Sequence, residues 1–148
     1  MNINNAVDKA YEKMSLKEIL KQPLNVLQGL SERQANLVKE AFKISTIEQF
    51  CNLRFAKWAW SIKALEKYEN KKNDKAGSLN IDKAVDKAWQ GKSLSEILNA
   101  PLSALQGLSE RQAELLNKAF RIKTIKQLAN QRFILIARAI YFLALCED

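Results

Sequence analysis

The chain has no histidine, so no side chain has an ordinary pKa near neutrality. Acid–base chemistry would need tuned carboxylates or lysines, and the acids here are scattered or sit where helices are capped. No Gly-x-x-x-x-Gly-Lys-Ser/Thr loop is present to cradle a nucleotide. There are only two cysteines, Cys51 and Cys146, with neither disulfide-framework nor metal-ligand spacing and no basic neighbour to activate a thiol. We therefore expect no enzyme, no metal and no cofactor. Glycine (4) and proline (2) are scarce, and alternating Val-, Thr- and Tyr-rich runs are missing, which argues against a sheet. The longest apolar run, Phe133–Cys146, is too short for a membrane span and carries Arg138. Met1–Asn5 lack the basic and apolar blocks of a signal peptide. The expectation is a cytoplasmic protein with no membrane partner.

What remains is 148 residues, 47% of them hydrophobic, rich in Ala, Leu, Lys, Glu, Gln and Ile. That is the usage of a folded helical chain. The net charge of +8 divides into about +3 for residues 1–69, +2 for 70–79 and +3 for 80–148. A mildly basic surface of this kind is compatible with nucleic acid without being diagnostic of it.

The organising feature is an internal repeat. Sliding the chain by 78 residues aligns Asn2–Glu69 with Asn80–Glu147 without a gap, with 37 of 68 positions identical. We read two repeats, residues 1–69 and 80–148, joined by a polar linker at 70–79. Each repeat should form a small all-α bundle of about five short helices. The first would be capped by Asn4 or Asn5 and run to about Lys13, with Ala6, Val7, Ala10, Tyr11 and Met14 at helical spacing. Its copy would stop at Gly91. Ser15-Leu16-Lys17-Glu18, Ser31-Glu32-Arg33-Gln34 and Thr46-Ile47-Glu48-Gln49 are capping boxes that should open three more helices. Ser93–Glu96, Ser109–Gln112 and Thr124–Gln127 should do the same in the second repeat.

Leu24-Asn25-Val26-Leu27-Gln28-Gly29-Leu30-Ser31 and Leu102-Ser103-Ala104-Leu105-Gln106-Gly107-Leu108-Ser109, each followed by Glu-Arg-Gln-Ala, read as a short helix, a Gly turn and the start of a second helix. With the trailing Ile-x-Thr-Ile-x-Gln, this pattern resembles the helix-hairpin-helix family over residues 20–65 and 98–143. It is similar to tandem helix-hairpin-helix domains and to the C-terminal domain of the bacterial RNA polymerase alpha subunit. The resemblance implies a phosphate held by the amides of Gly29, Leu30 and Ser31, and of Gly107, Leu108 and Ser109, with Arg33 and Arg111 in support. The chain departs from the family where a second glycine is replaced by Ser31 or Ser109 and an acid follows, Glu32 or Glu110. A turn that only packs Leu27, Leu30 and Leu37 is the structural alternative.

Lys118, Arg121, Lys123 and Lys126 could extend a phosphate-tracking patch, or serve only as a solvated helix end. Arg54 and Arg132 precede Phe55 and Phe133, and suit either a phosphate or partner contact, or a helix-end carbonyl or carboxylate. Trp58 and Trp60 point to different faces of one helix. The last helix, Phe133–Leu145, is apolar nearly all round and must be covered on more than one side. The leading expectation is a non-enzymatic interaction or scaffold module that binds a protein partner or itself. Its interface would use Trp58, Trp60, Phe133, Ile136, Ile140, Tyr141 and Leu145. The alternative is sequence-nonspecific DNA or RNA backbone binding through the two Gly turns.

Overall fold

The six Ser/Thr-x-x-Glu/Gln boxes set the starts of six of the eight α-helices among the described residues. At Ser15, Ser31, Thr46, Ser93, Ser109 and Thr124 the hydroxyl accepts from the third helical amide, and that residue's side chain accepts from the cap amide. Two orphan donors are thereby satisfied at each start, and an Ala in place of the cap would cost about 1 kcal/mol. The helices are α1 (Leu16–Leu20), α2 (Glu32–Phe42), α3 (Ile47–Cys51), α4 (Arg54–Glu66), α5 (Leu94–Leu98), α6 (Glu110–Phe120), α7 (Ile125–Ala129) and α8 (Arg132–Ala144). Among the described residues these are the only α-helices, and there is no strand. The computed structural model describes residues 1–70, 72 and 79–148. Most of the polar linker expected at 70–79 thus lies outside the described residues.

The first helix, expected to run to about Lys13, does not form. Two 3₁₀ turns, Asn4–Ala6 and Lys9–Tyr11, flank an extended Val7. The expected Asn4 or Asn5 cap is absent too, since Ile3 stands at the N-cap without a side-chain bond. Hydrogen bonding to the Gly turn decides this: the Asp8 amide donates to Val26 O at 2.8 Å, and the Gln28 amide donates to Ala6 O at 2.9 Å. An α-helix would have taken both groups for itself. Its copy behaves alike, with Asp86 N on Ala104 O at 2.8 Å and Gln106 N on Ala84 O at 2.9 Å. Gly91 ends that segment in the left-handed region (φ +76°).

The helices do not pack repeat by repeat. Helix α4 lies on α5 and α7, α8 lies on α1 and α3, and α2 pairs with α6. The last helix of each repeat is therefore exchanged onto the other. The core is one cluster that draws on both halves, with Val7, Ile19, Leu24, Leu27, Val38, Ile47 and Phe50 from one and Val85, Ile97, Leu102, Leu105, Ile125 and Ile134 from the other. An aromatic row, Phe50–Phe120–Phe133, crosses between them at centroid separations of 6.1 Å. Among the described residues no polar side chain is buried, so hydrophobic burial and backbone pairing carry the stability.

Polar contacts mark the same exchange. The Glu147 carboxylate reaches back to the start of α1, 2.7 Å from the Leu16 amide and 3.0 Å from that of Lys17. Glu69 does the same at α5, 3.1 and 3.0 Å from the Leu94 amide. The Gln34 side-chain amide donates to Ala119 O at 2.9 Å, and Gln112 donates to Ala41 O at 3.0 Å. The antiparallel α2–α6 pair thus sets each Gly turn beside the end of the other repeat's long helix.

The two Leu16 and Lys17 amide bonds hold the Glu147 carboxyl below the usual glutamate range. A lowered folded pKa favours the folded state above the unfolded-chain value, and that contribution is lost as pH falls through the folded value. Glu147→Gln should therefore lower the melting temperature at neutral pH, and the gap to the parent should close on acidification, as thermal melts across pH will show.

Candidate functional site

The two Gly turns are built alike. The single 3₁₀ turn Leu24–Val26 leads into Gly29 (φ +89°), and Leu102–Ala104 leads into Gly107 (φ +86°). Leu30 and Leu108 are buried, while Gly29, Ser31, Arg33, Gly107, Ser109 and Arg111 are exposed. The amides that would grip a phosphate are mostly in use. Leu30 N donates to Leu27 O at 3.0 Å and Leu108 N to Leu105 O at 3.1 Å. Ser31 N is 2.9 Å from Gln34 Oε1, and Ser109 N is 2.8 Å from Gln112 Oε1.

Each turn is covered by an arginine from the other repeat. Arg132 Nη2 donates to Gln28 O at 3.1 Å, and its guanidinium stacks on Phe133 at 4.5 Å. A Cβ at Gly29 would meet that nitrogen at 2.7 Å, and one at Gly107 would meet Arg54 Nη2 at 2.6 Å. Arg54 lies over Phe55 at 4.8 Å and Trp58 at 5.8 Å. Glycine is favoured here by φ above all, since an arginine tip can shift. Arg132 thus reaches a carbonyl, but that of Gln28 in the opposite Gly turn rather than one at an α-helix end.

The supporting cations differ between the turns. Arg111 is tied to Glu40 at 2.6 Å. At the matching place in the other turn the partner of Arg33 would be Lys118, which cannot form such a pair. Lys118, Arg121, Lys123 and Lys126 are all exposed. They replace Glu40, Lys43, Ser45 and Glu48, so four positive charges stand where the first repeat has a net single negative. A groove of about 310 Å³ sets Lys126 with Lys63 of α4 and Lys67 just after it, and Glu66, Ser95, Leu98 and Asn99 complete it. A second, of about 270 Å³, is lined by Glu40, Arg111, Glu114, Leu115 and Lys118.

The residues expected at a protein interface separate into three groups. Phe133 and Ile140 are buried against the other repeat, so neither is free to meet a partner. Trp58, Trp60, Ile136 and Tyr141 are half-buried. Trp60 lies beneath the Arg138 guanidinium at 4.6 Å, a contact between α4 and α8. Leu145 is 67% exposed, and its neighbours Phe142 and Leu143 are 55% and 52% exposed. Phe142 and Leu143 were not singled out by the sequence reading, although α4, with Ala64 and Leu65 at those places, offered the comparison.

Burial pushes the Cys51 thiol up to about 11, with Lys57 and Arg138 opposing weakly, so it is the reverse of an activated nucleophile. Among the described residues no three Cys, Asp or Glu side chains converge as a metal site, and no helix is long and apolar enough to cross a membrane. Comparisons with protein-family models, curated proteins and solved structures return no match. The functional reading rests on this chain's own residues.

Proposed function

We propose that this chain is a non-enzymatic interaction module that meets another protein surface through the outer face of α8. One observation carries this reading. Helices α4 and α8 hold equivalent places, yet their outer faces differ. On α4 that face is Lys57, Ser61, Ala64 and Lys67, and on α8 it is Leu135, Ala139, Phe142 and Leu145. The α4 face meets the fold's needs with lysines and a serine, so packing alone does not require the α8 face to be apolar. A contiguous exposed apolar face of this kind marks an interaction surface. A photo-crosslinking phenylalanine analogue at position 142 should give a defined protein adduct in the native host, and the same group at Ala64 should not. If neither position gives an adduct, the reading fails.

Binding of a nucleic-acid backbone is a second reading, and the uneven charge supports it. The exposed cations Lys118, Arg121, Lys123 and Lys126 gather on one repeat, with Lys63 and Lys67 across a groove from Lys126. Such binding must weaken steeply with salt, by counterion release. Lys118→Glu with Lys126→Glu should lower duplex affinity by roughly tenfold or more at low salt, measured by fluorescence anisotropy. If the parent chain shows no duplex binding at low salt, this reading is excluded.

A further inference from the structure

We propose that the partner of the α8 outer face is a second copy of this chain, packed face to face in a weak isologous dimer. The inference rests on the interaction-module reading and names its occupant. Leu135, Ala139, Phe142 and Cys146 recur at intervals of four, three and four, the spacing of a helix–helix seam. Ala139 sits near the middle, where a small side chain lets two helices approach. None of the exposed side chains on the face, Ala139, Phe142, Leu143, Leu145 and Cys146, is charged. The nearby Arg138 is half-buried and drawn over Trp60 at 4.6 Å. A twofold axis through the face therefore sets no like charges on that seam against each other. Arg132, three residues before Leu135, continues the stripe, but its guanidinium is drawn to the Gly29 turn, donating to Gln28 O at 3.1 Å, so the seam from Leu135 to Cys146 carries no exposed cation to call for an acidic partner.

The size of the face fits a weak pair. Phe142, Leu143 and Leu145 are 55%, 52% and 67% exposed, which with Ala139 and Cys146 gives roughly 400–500 Å² of apolar surface. Two copies would bury about 800–1,000 Å² in total, the range of transient rather than obligate interfaces. The dimer should be weak and reversible. Salt gives a distinguishing sign. Each chain carries +8, so screening relieves repulsion between copies and self-association strengthens as salt rises.

Sedimentation equilibrium of the purified chain, from micromolar to near-millimolar concentration and at two salt levels, tests this. The expected result is a monomer–dimer equilibrium that tightens with salt. It should be abolished by Leu135→Lys, Ala139→Ser, Phe142→Ala and Leu145→Lys together, which copy the residues of α4. If that variant loses helicity, Phe142→Ala alone should weaken dimerisation roughly tenfold or more. A parent that stays monomeric throughout overturns the proposal, as does a dimer that folded variants leave unchanged. If the crosslink at position 142 still captures a different protein, only the second-copy occupant is wrong. If it captures nothing, the module reading falls as well.

Discussion

A chain ended after Gln131, lacking α8 and the residues after it, should lose the folded state, with the damage falling first on the opposite half of the sequence. Helix α8 buries Phe133, Ile134, Ala137, Ile140 and Ala144, chiefly against α1 and α3. At about 1.5–3 kcal/mol for each of the three large side chains, roughly 5–9 kcal/mol of burial is removed. That matches the whole stability of an ordinary domain, about 5–15 kcal/mol. The truncation also takes away Glu147, which caps α1, and Arg132, which donates to Gln28 O. Hydrogen exchange, or circular dichroism with fragment-resolved exchange in stabilising co-solvent, should show α1 and α3 unprotected while α5 and α7, covered by α4, hold longest. If α5 to α7 lose protection first and α1 and α3 keep theirs, the exchange of terminal helices is wrong.

How much of this was legible depended on the range of the interaction. The six capping boxes could be read because both partners lie within four residues, and six of the eight described α-helices start at them. Gly29 and Gly107 could be read because few other residues tolerate their φ. The first segment was misread because Ala6, Val7, Ala10 and Tyr11 have helical spacing, while the groups that hold it extended belong to Val26 and Gln28. Periodicity reports which face is apolar but not where hydrogen bonds go. The exchange was beyond reach for a similar reason. An apolar α8 shows that cover is required, and nothing in its own residues says which elements provide it. One signal was available: Glu69 and Glu147 match across the repeat just past the last helix, as an acid held for a distant helix start would. At the candidate site, Arg54 and Arg132 announced themselves by recurring before a phenylalanine, but their seat over the opposite turn depends on that same exchange.

Cutting the chain between Glu69 and Leu79 should leave two fragments that stay together. Each fragment alone lacks the cover for its own core. The first keeps α1 and α3 without α8, and the second keeps α5 and α7 without α4. Neither can bury Ile19, Ile47 and Phe50, or Ile97 and Ile125, as they are buried in the intact protein. The contact between the fragments includes α2 on α6, α4 on α5 and α7, and α8 on α1 and α3, which makes it a domain core divided in two rather than a surface contact. Cleavage removes only the tether, whose worth is that of a millimolar effective concentration. A protease site placed within residues 73–78 should therefore give a nicked protein that elutes with the uncut chain on size exclusion and keeps its circular dichroism. Its melting temperature should become concentration-dependent, because unfolding now releases two chains. Fragments that part in native buffer, each with helical structure of its own, would show residues 1–69 and 80–148 to be independent domains.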